Sequence, residues 1–266
     1  MMGIQNILSG ISLFGNLQKS KYYYFLNPFF TKDSWMSNQI GKSVFYLNAN
    51  DLDENTFFNN WKEFNKECGN ESYFVFSKIS TAAVTLWHCL EKAHFKLIDT
   101  NVKFEFRGNI LSKKNQQKDI EIVFAEKKHQ KAARDIARDN FIYSRFHLDP
   151  LIDNNIANQI KKNWVNNYFC GKRGNQMVLA LMNGEPVGFL QLIIKDEKLF
   201  IDLIGVDKIA QGQGVASNMI QFASENIKSS YIKVGTQIGN LPSIKLYQNL
   251  GFVFVGSDYV FHYHNK

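Results

Sequence analysis

The sequence predicts an α/β fold in two parts, and three observations carry that prediction. Residues 201–223, IDLIGVDKIAQGQGVASNMIQFA, read as an apolar strand, a glycine-rich turn and a helix. Further on, the alternating strand SYIKVGTQI (230–238) leads into the helical stretch GNLPSIKLYQNLGF (239–252). Ahead of both, strand-like and helical pieces alternate up to the polar segment RGNILSKKNQQKD, residues 107–119, which reads as a linker.

Taken in order, the N-terminal stretch MMGIQNILSGISLFGNLQKS lacks the basic start and long apolar core of a signal peptide. Residues 4–17 have some amphipathic character, read as an ordinary packed terminus in preference to a surface anchor. Strands are expected in SVFYLNA, ESYFVFSKI and KLIDTNVKFEF, and helices over Phe57–Glu67 and Thr81–Ala93. These place a smaller α/β domain at residues 1–108, with an acceptor-side or dimerisation role left open, a linker at 109–118 and a second domain at 119–266. That second domain opens with a strand, Ile120–Ala125, and two helices, Lys128–Phe141 and about Ile152–Tyr168. Strands Met177–Met182, Val187–Lys195 and Leu199–Val206 follow, joined by Asn183-Gly184, a hairpin signal, and by Asp196-Glu197-Lys198. In the helix after the glycines, Val215, Met219, Ile220, Ala223 and Ile227 recur at helical spacing. For the next helix, Asn240 suits the cap, Pro242 the first turn and Gly251 the stop. A terminal hairpin is expected over Phe252–His264.

Composition narrows the partners. The 266 residues are 45% apolar, enough for real cores, and carry a formal charge of +7. No basic run interleaved with aromatics is present, so nucleic acid is not an expected partner, and small polyphosphates account for the charge equally well. No stretch reaches the roughly 20 apolar residues of a membrane span. Three widely spaced cysteines, Cys68, Cys89 and Cys170, form neither a disulfide frame nor a zinc motif and point to reduced thiols in a cytoplasmic protein.

Gly212 and Gly214 flank Gln213 where the helix must begin, which lets backbone N–H groups converge beside a helix N-terminus. A pyrophosphate fits such a cradle. The dinucleotide fingerprint fails for want of a third glycine, and the Walker pattern fails for want of a Lys-Ser/Thr pair. What fits is Gln-x-x-Gly-x-Ala, met by Gln211, Gly214 and Ala216. This resembles the pyrophosphate loop of the GCN5-related N-acetyltransferases (GNAT). An ordinary strand-to-helix turn is the alternative, and the second motif argues against it. The family helix reading Asn-x-x-Ala/Ser-x-x-x-Tyr-x-x-x-Gly-Phe is matched by Asn240, Ser243, Tyr247, Gly251 and Phe252. The resemblance implies the GNAT acyl-CoA N-acyltransferase fold over about residues 119–266, with acetyl-CoA as co-substrate. It implies cofactor contacts from Ile204, Gly205 and Val206 at the strand end, from Gln211, Gly212, Gln213, Gly214, Val215 and Ala216 in the loop, and from Asn240 and Ser243. It implies that Tyr247 gives a proton to the leaving thiolate, while a core aromatic remains the other reading of that residue.

NFIYSRFHLDP (140–150), Trp164, GKRGN (171–175) and LEKAHFKLIDTNVKFEF (90–106) together resemble the dTDP-fucosamine acetyltransferase group. Those enzymes N-acetylate a 4-amino-4,6-dideoxy sugar on a nucleotide. His94 stands where that group is expected to have glycine. Arg145 and His147 are the acceptor-side candidates, Arg145 as a bidentate partner of a nucleotide-sugar phosphate. A loop held by local ion pairs with Asp149 is the competing reading. His262 and His264 sit two apart on one strand face, but no suitably spaced carboxylate or cysteine accompanies them, so two edge-strand histidines are expected and no metal. Cys170 reads as a buried thiol. Two rival functions stay open: an acetyltransferase of protein or other amines, and a non-catalytic coenzyme A-binding module.

Overall fold

The computed structural model describes residues 27–49, 52–108 and 119–265, so the expectations for residues 4–17 and the linker 109–118 lie outside the described residues. In the N-terminal part, β1 (Phe30–Lys32), α1 (Ser34–Ile40), β2 (Ser43–Leu47), α2 (Glu54–Cys68), β3 (Tyr73–Ser80), α3 (Val84–Lys92) and β4 (Lys96–Phe106) follow one another. The short β1 and α1 had no counterpart in the sequence reading. Asp33 and Asp53 start α1 and α2 by accepting from the backbone N–H groups of Met36 and Thr56 at 2.8 and 2.9 Å. Phe30, Phe45, Phe57, Phe64 and Tyr73 fill the core between these helices and the sheet.

The second part contains β5 (Ile120–Phe124), α4 (Gln130–Asp139), α5 (Asn154–Phe169), β6 (Gln176–Met182), β7 (Glu185–Lys195) and β8 (Lys198–Val206). Then come α6 (Val215–Asn226), β9 (Tyr231–Gln237), α7 (Leu241–Asn249) and β10 (Val253–His264). Asn183-Gly184 turns with both residues at positive φ (53° and 81°), as a two-residue hairpin requires, and Asp196-Glu197 does the same at 50° and 56°. Along β7 the side chains alternate: Phe189 packs in the cluster beneath α4, whereas Leu190 and Leu192 join the cluster under α6. Gly188 lets α6 lie close, since a Cβ there would meet Met219 Cε at 3.1 Å and Val215 Cγ1 at 3.2 Å.

All ten strands pair into one sheet in the order β1-β2-β3-β10-β4-β9-β8-β7-β6-β5. The last strand joins the two parts. The hairpin expected over Phe252–His264 is absent; β10 runs unbroken between β3 and β4, antiparallel to both. No two-residue turn signal interrupts it, and Gly256, at φ +152°, absorbs a register shift as a bulge instead. His94, where glycine was expected, adopts φ +64°, the left-handed conformation that favours glycine.

One break in the sheet creates the site. Parallel β8 and β9 pair only from Lys198–Ile201 to Tyr231–Val234. Beyond that, β8 stays with β7 as far as Val206, and β9 stays with β4 as far as Gln237. The two strands therefore diverge, each leaving its inner edge without a partner strand.

Candidate active site

A cavity of about 1190 Å³ opens at this divergence. Leu203 to Val206 line it from β8, Val234 to Gln237 from β9, and the turn residues Gln211, Gly212 and Gly214 close one end. Gly212 and Gly214 have φ of +75° and +77°, and Gly214 occupies the cap position of α6 without any side chain bonding the first turn. The free N–H groups of Val215, Ala216 and Ser217 thus begin a helix whose first turn lines the cavity. Gln211 Nε2 donates to the Val206 carbonyl at 2.9 Å and ties the turn to the end of β8. Gln213, expected among the ligand contacts, does not line the cavity; its Nε2 donates to the Ile209 carbonyl at 2.9 Å.

From the opposite strand, Asn240 caps α7 by accepting from the Ser243 N–H at 3.2 Å, and both residues line the cavity. Tyr247, one turn further, lines it too while only 2% exposed overall. Its ring packs near Phe104 and Phe252. Burial pushes its hydroxyl above the ordinary tyrosine range, so the proton stays in place at neutral pH.

The far end of the cavity is cationic. Arg145 stacks its guanidinium 3.8 Å from the Phe76 ring centroid and 4.5 Å from that of Phe146. Its Nη1 lies 3.2 Å from His262 Nε2. His262 Nδ1 is 2.6 Å from Asp149 Oδ2, His264 Nε2 is 2.7 Å from the same oxygen, and Lys42 Nζ is 3.2 Å from His264 Nδ1. A guanidinium and an ammonium can only donate, so the outer nitrogen of each ring accepts and the inner one donates to Asp149. Both imidazoles are thereby assigned as neutral. Enclosure lowers the His262 ring to about 4, and the nearby Arg145 works in the same direction. Enclosure pushes Asp149 up, but the hydrogen bonds from the two histidines and the Leu151 N–H outweigh it and hold the carboxyl well below its usual range.

This arrangement corrects the sequence expectations for His262, His264 and Arg145. Asp149 is the carboxylate that the two histidines were thought to lack, carried 113 residues away in the chain to His262. Nor are they edge-strand residues: β10 is central, and His262 is 0% exposed. Two histidines and an aspartate form a donor set that zinc accepts. Here each outer ring nitrogen already accepts from a cation, which would also repel a dication. Nor does Arg145 pair with Asp149 directly; His262 stands between them. His147, the other acceptor-side candidate, does not line the cavity, because Ser144 Oγ at 2.6 Å and Asn158 Oδ1 at 2.9 Å occupy its ring nitrogens. Cys170 is exposed, not buried.

Two cations and one carboxylate at this end went unnoticed in the sequence. Lys161, 9% exposed, has its Nζ 5.0 Å from the Phe141 centroid and 5.5 Å from that of Trp164. Among the described residues it makes no hydrogen bond or ion pair. Burial first, and Arg145 second, lower its ammonium to about 7. Lys78 opens to solvent through the cavity, yet enclosure and then Arg145 lower it to about 8. Asp202 accepts from Arg173 Nε and Nη2 at 2.8 and 2.6 Å, from Trp164 Nε1 at 2.9 Å and from Gln191 Nε2 at 2.8 Å. A signal for Lys161 existed: it sits on the apolar stripe of α5 with Ala157 and Val165, where a lysine is out of place.

Residues 132–252 match the acetyltransferase (GNAT) family. The chain is 33% identical over 132 residues to the spore coat polysaccharide biosynthesis protein SpsD of Bacillus subtilis (strain 168), a match covering 48% of this chain and 45% of that protein. It thus aligns with less than half of that relative's length. A functionally unknown conserved protein from Staphylococcus epidermidis ATCC 12228 superposes with a TM-score of 0.61 at 17% identity, over 85% of each chain. A GCN5-related N-acetyltransferase from Sphaerobacter thermophilus does so at 0.57 and 11% identity, over 85% of this chain and 73% of that one. These likenesses show a shared fold.

The His262 geometry has a measurable consequence. Unfolded, the ring protonates near 6.5; folded, it resists to about 4. The unfolded chain therefore binds more protons between those values, and stability falls as pH drops from 6.5 to about 4. Asp149, held low, adds a further loss below about 4, its ordinary range. Melting temperatures followed across this range should fall less steeply for His262→Gln than for the parent chain. Identical slopes would mean that His262 titrates freely in the folded protein.

Proposed function

We propose, from the match of residues 132–252 to the acetyltransferase (GNAT) family, that the protein moves the acetyl group of acetyl-CoA to the amine of a nucleotide-linked amino-dideoxy sugar. The observation that carries this reading is the single cavity that joins an N–H cradle, the Tyr247 hydroxyl and a cationic far end. The cradle at Gly212–Ala216 suits the coenzyme A pyrophosphate, with Asn240 and Ser243 beside it. Arg145 suits a phosphate of the acceptor. The name of the SpsD relative, which places that protein in polysaccharide biosynthesis, favours a sugar acceptor.

The chemistry follows from the residues. The neutral amine attacks the thioester carbonyl carbon, a C–N bond forms, and the C–S bond then breaks. Along Ile204, Gly205 and Val206, β8 has no partner strand on its β9 side, so backbone N–H groups there are available to the carbonyl oxygen as it becomes an oxyanion. Tyr247 gives its proton to the departing thiolate. The nitrogen sheds its extra proton to solvent as the amide forms, and the tyrosinate recovers a proton from solvent before the next turnover. No helix among the described residues is long and apolar enough to cross a membrane. With Cys68, Cys89 and Cys170 all unpaired, a reducing compartment such as the cytoplasm fits this role.

A panel of dTDP- and UDP-linked amino sugars, lysine peptides and small amines, assayed for thiol release and acetylated product, tests the acceptor. Turnover confined to nucleotide sugars is expected. Preference for peptides would make the protein a protein acetyltransferase, and no thiol release with any amine would favour a binding module. Tyr247→Phe keeps the ring and removes the transferable proton. Its kcat should fall about 10²–10⁴-fold, with acetyl-CoA affinity and melting temperature nearly unchanged. Near-normal turnover would make Tyr247 a core aromatic.

A further inference from the structure

The far end of the cavity gathers three cations, one of which, Lys161, makes no hydrogen bond or ion pair among the described residues. Phe74, Phe76 and Lys78 share one face of β3, since side chains two apart on a strand point the same way. Arg145 lies against Phe76 and Phe146, and Lys161 Nζ lies 5.9 Å from the same Phe146 ring. Lys78, Arg145 and Lys161 all line the cavity, and each of the two lysines has its ammonium disfavoured by Arg145.

The carboxylates nearby are in part committed elsewhere. Asp202, facing Lys161, is held by Arg173, Trp164 and Gln191. Asp258, near Lys78, is bonded to Lys103 at 2.7 Å. Asp149, which accepts from neutral His262 and His264, and Asp33, at the α1 cap, are carboxylates near Arg145, and these two offset its charge in part. Two carboxylates line the cavity with these cations: Asp202, whose charge is matched by Arg173, and Asp99, whose carboxyl burial pushes up, toward the neutral form. Lys161 in particular is buried and, among the described residues, makes no hydrogen bond or ion pair. A buried ammonium such as that of Lys161, with no hydrogen-bond partner, is costly unless an anion arrives to complete the site.

We propose that Lys78, Arg145 and Lys161 form a second anion site, separate from the glycine turn, that takes the diphosphate of a nucleoside diphosphate. This rests on the reading of the chain as an acetyltransferase of nucleotide-linked amines and names the group by which that acceptor is held. A diphosphate, with two or more negative charges, matches three cations; a single carboxylate would leave two of them uncompensated. His262 and Asp149 act as positioning residues. Their hydrogen-bonded chain fixes the Arg145 guanidinium between its two rings, so the fork is oriented before the anion binds.

Proton linkage makes the proposal testable without knowing the sugar. At about pH 8 both lysines are partly neutral, and an anion beside them raises their proton affinity, so binding takes up protons. UDP, dTDP and inorganic pyrophosphate are titrated calorimetrically into the full chain saturated with coenzyme A, in two buffers of different ionisation enthalpy. Expected are one further diphosphate per chain, net proton uptake, and weaker binding near pH 9 than near pH 7. Lys78→Met and Lys161→Met should each weaken binding about tenfold or more, a typical loss for a hydrogen bond to a charged group. Coenzyme A affinity should stay unchanged. Lys161→Arg, always charged, should retain binding while taking up fewer protons.

One-for-one competition between the diphosphates and coenzyme A, or affinity indifferent to Lys78→Met and Lys161→Met in folded variants, would overturn the site. The two readings fail separately. Acetylation of nucleotide sugars undisturbed by both methionine variants would sink the anion site alone. Linked diphosphate binding without acetylation of any nucleotide-linked amine would leave the site and remove the proposed acceptor.

Discussion

The loss of pairing between β8 and β9 is the constraint on which the rest depends. After Ile201 and Val234 the two strands keep their outer partners and lose each other. Twisted parallel strands can diverge in this way only if their inner edges find other hydrogen-bond partners, because buried backbone groups are seldom left unsatisfied. The divergence therefore makes both a cavity and two rows of backbone donors and acceptors facing it. The turn after β8 and the helix after β9 are then delivered to the same space by chain connectivity. Gly212 and Gly214 shape the first, and the Asn240 cap starts the second about two turns before Tyr247.

Placement of β10 sets the other end. By inserting between β3 and β4, the last strand brings His262 and His264 beside the loop that carries Arg145 and Asp149. The N-terminal part thus supplies cavity wall, with Lys78 from β3 and Asp99 and Asn101 from β4. Arg145 and Lys161, from the second part, pack against aromatic rings at this end, an arrangement that favours an anionic occupant.

How much of this was legible in the sequence depends on how local the signal was. The Asn183-Gly184 turn, the Gln211–Ala216 loop and the Asn240–Phe252 helix are short-range patterns, and each forms where its residues indicate. KLIDTNVKFEF matches β4 residue for residue. The single strand β10 is not legible locally, because both its partners, β3 and β4, lie far away in the sequence. Asp149 with His262 was invisible for the same reason: spacing along the chain says nothing about pairing across 113 residues. Arg145 could be singled out from SRFH, whereas its guanidinium environment came from Phe76 on a distant strand. His147 and Gln213 had the right chemistry but are spent on local hydrogen bonds. Lys161 shows the opposite case, a lysine on an apolar helix face that composition-level reading passes over.

A crystal structure of the full chain with coenzyme A tests the central claim most directly. The account places the pantetheine arm in the gap between β8 and β9, bonded to backbone groups of Leu203–Val206 and Gly235–Gln237. It places the pyrophosphate on the N–H groups of Gly212–Ala216 and the sulfur within reach of the Tyr247 hydroxyl. A cofactor bound elsewhere, or strands β8 and β9 paired along their whole length around an empty turn, would contradict it.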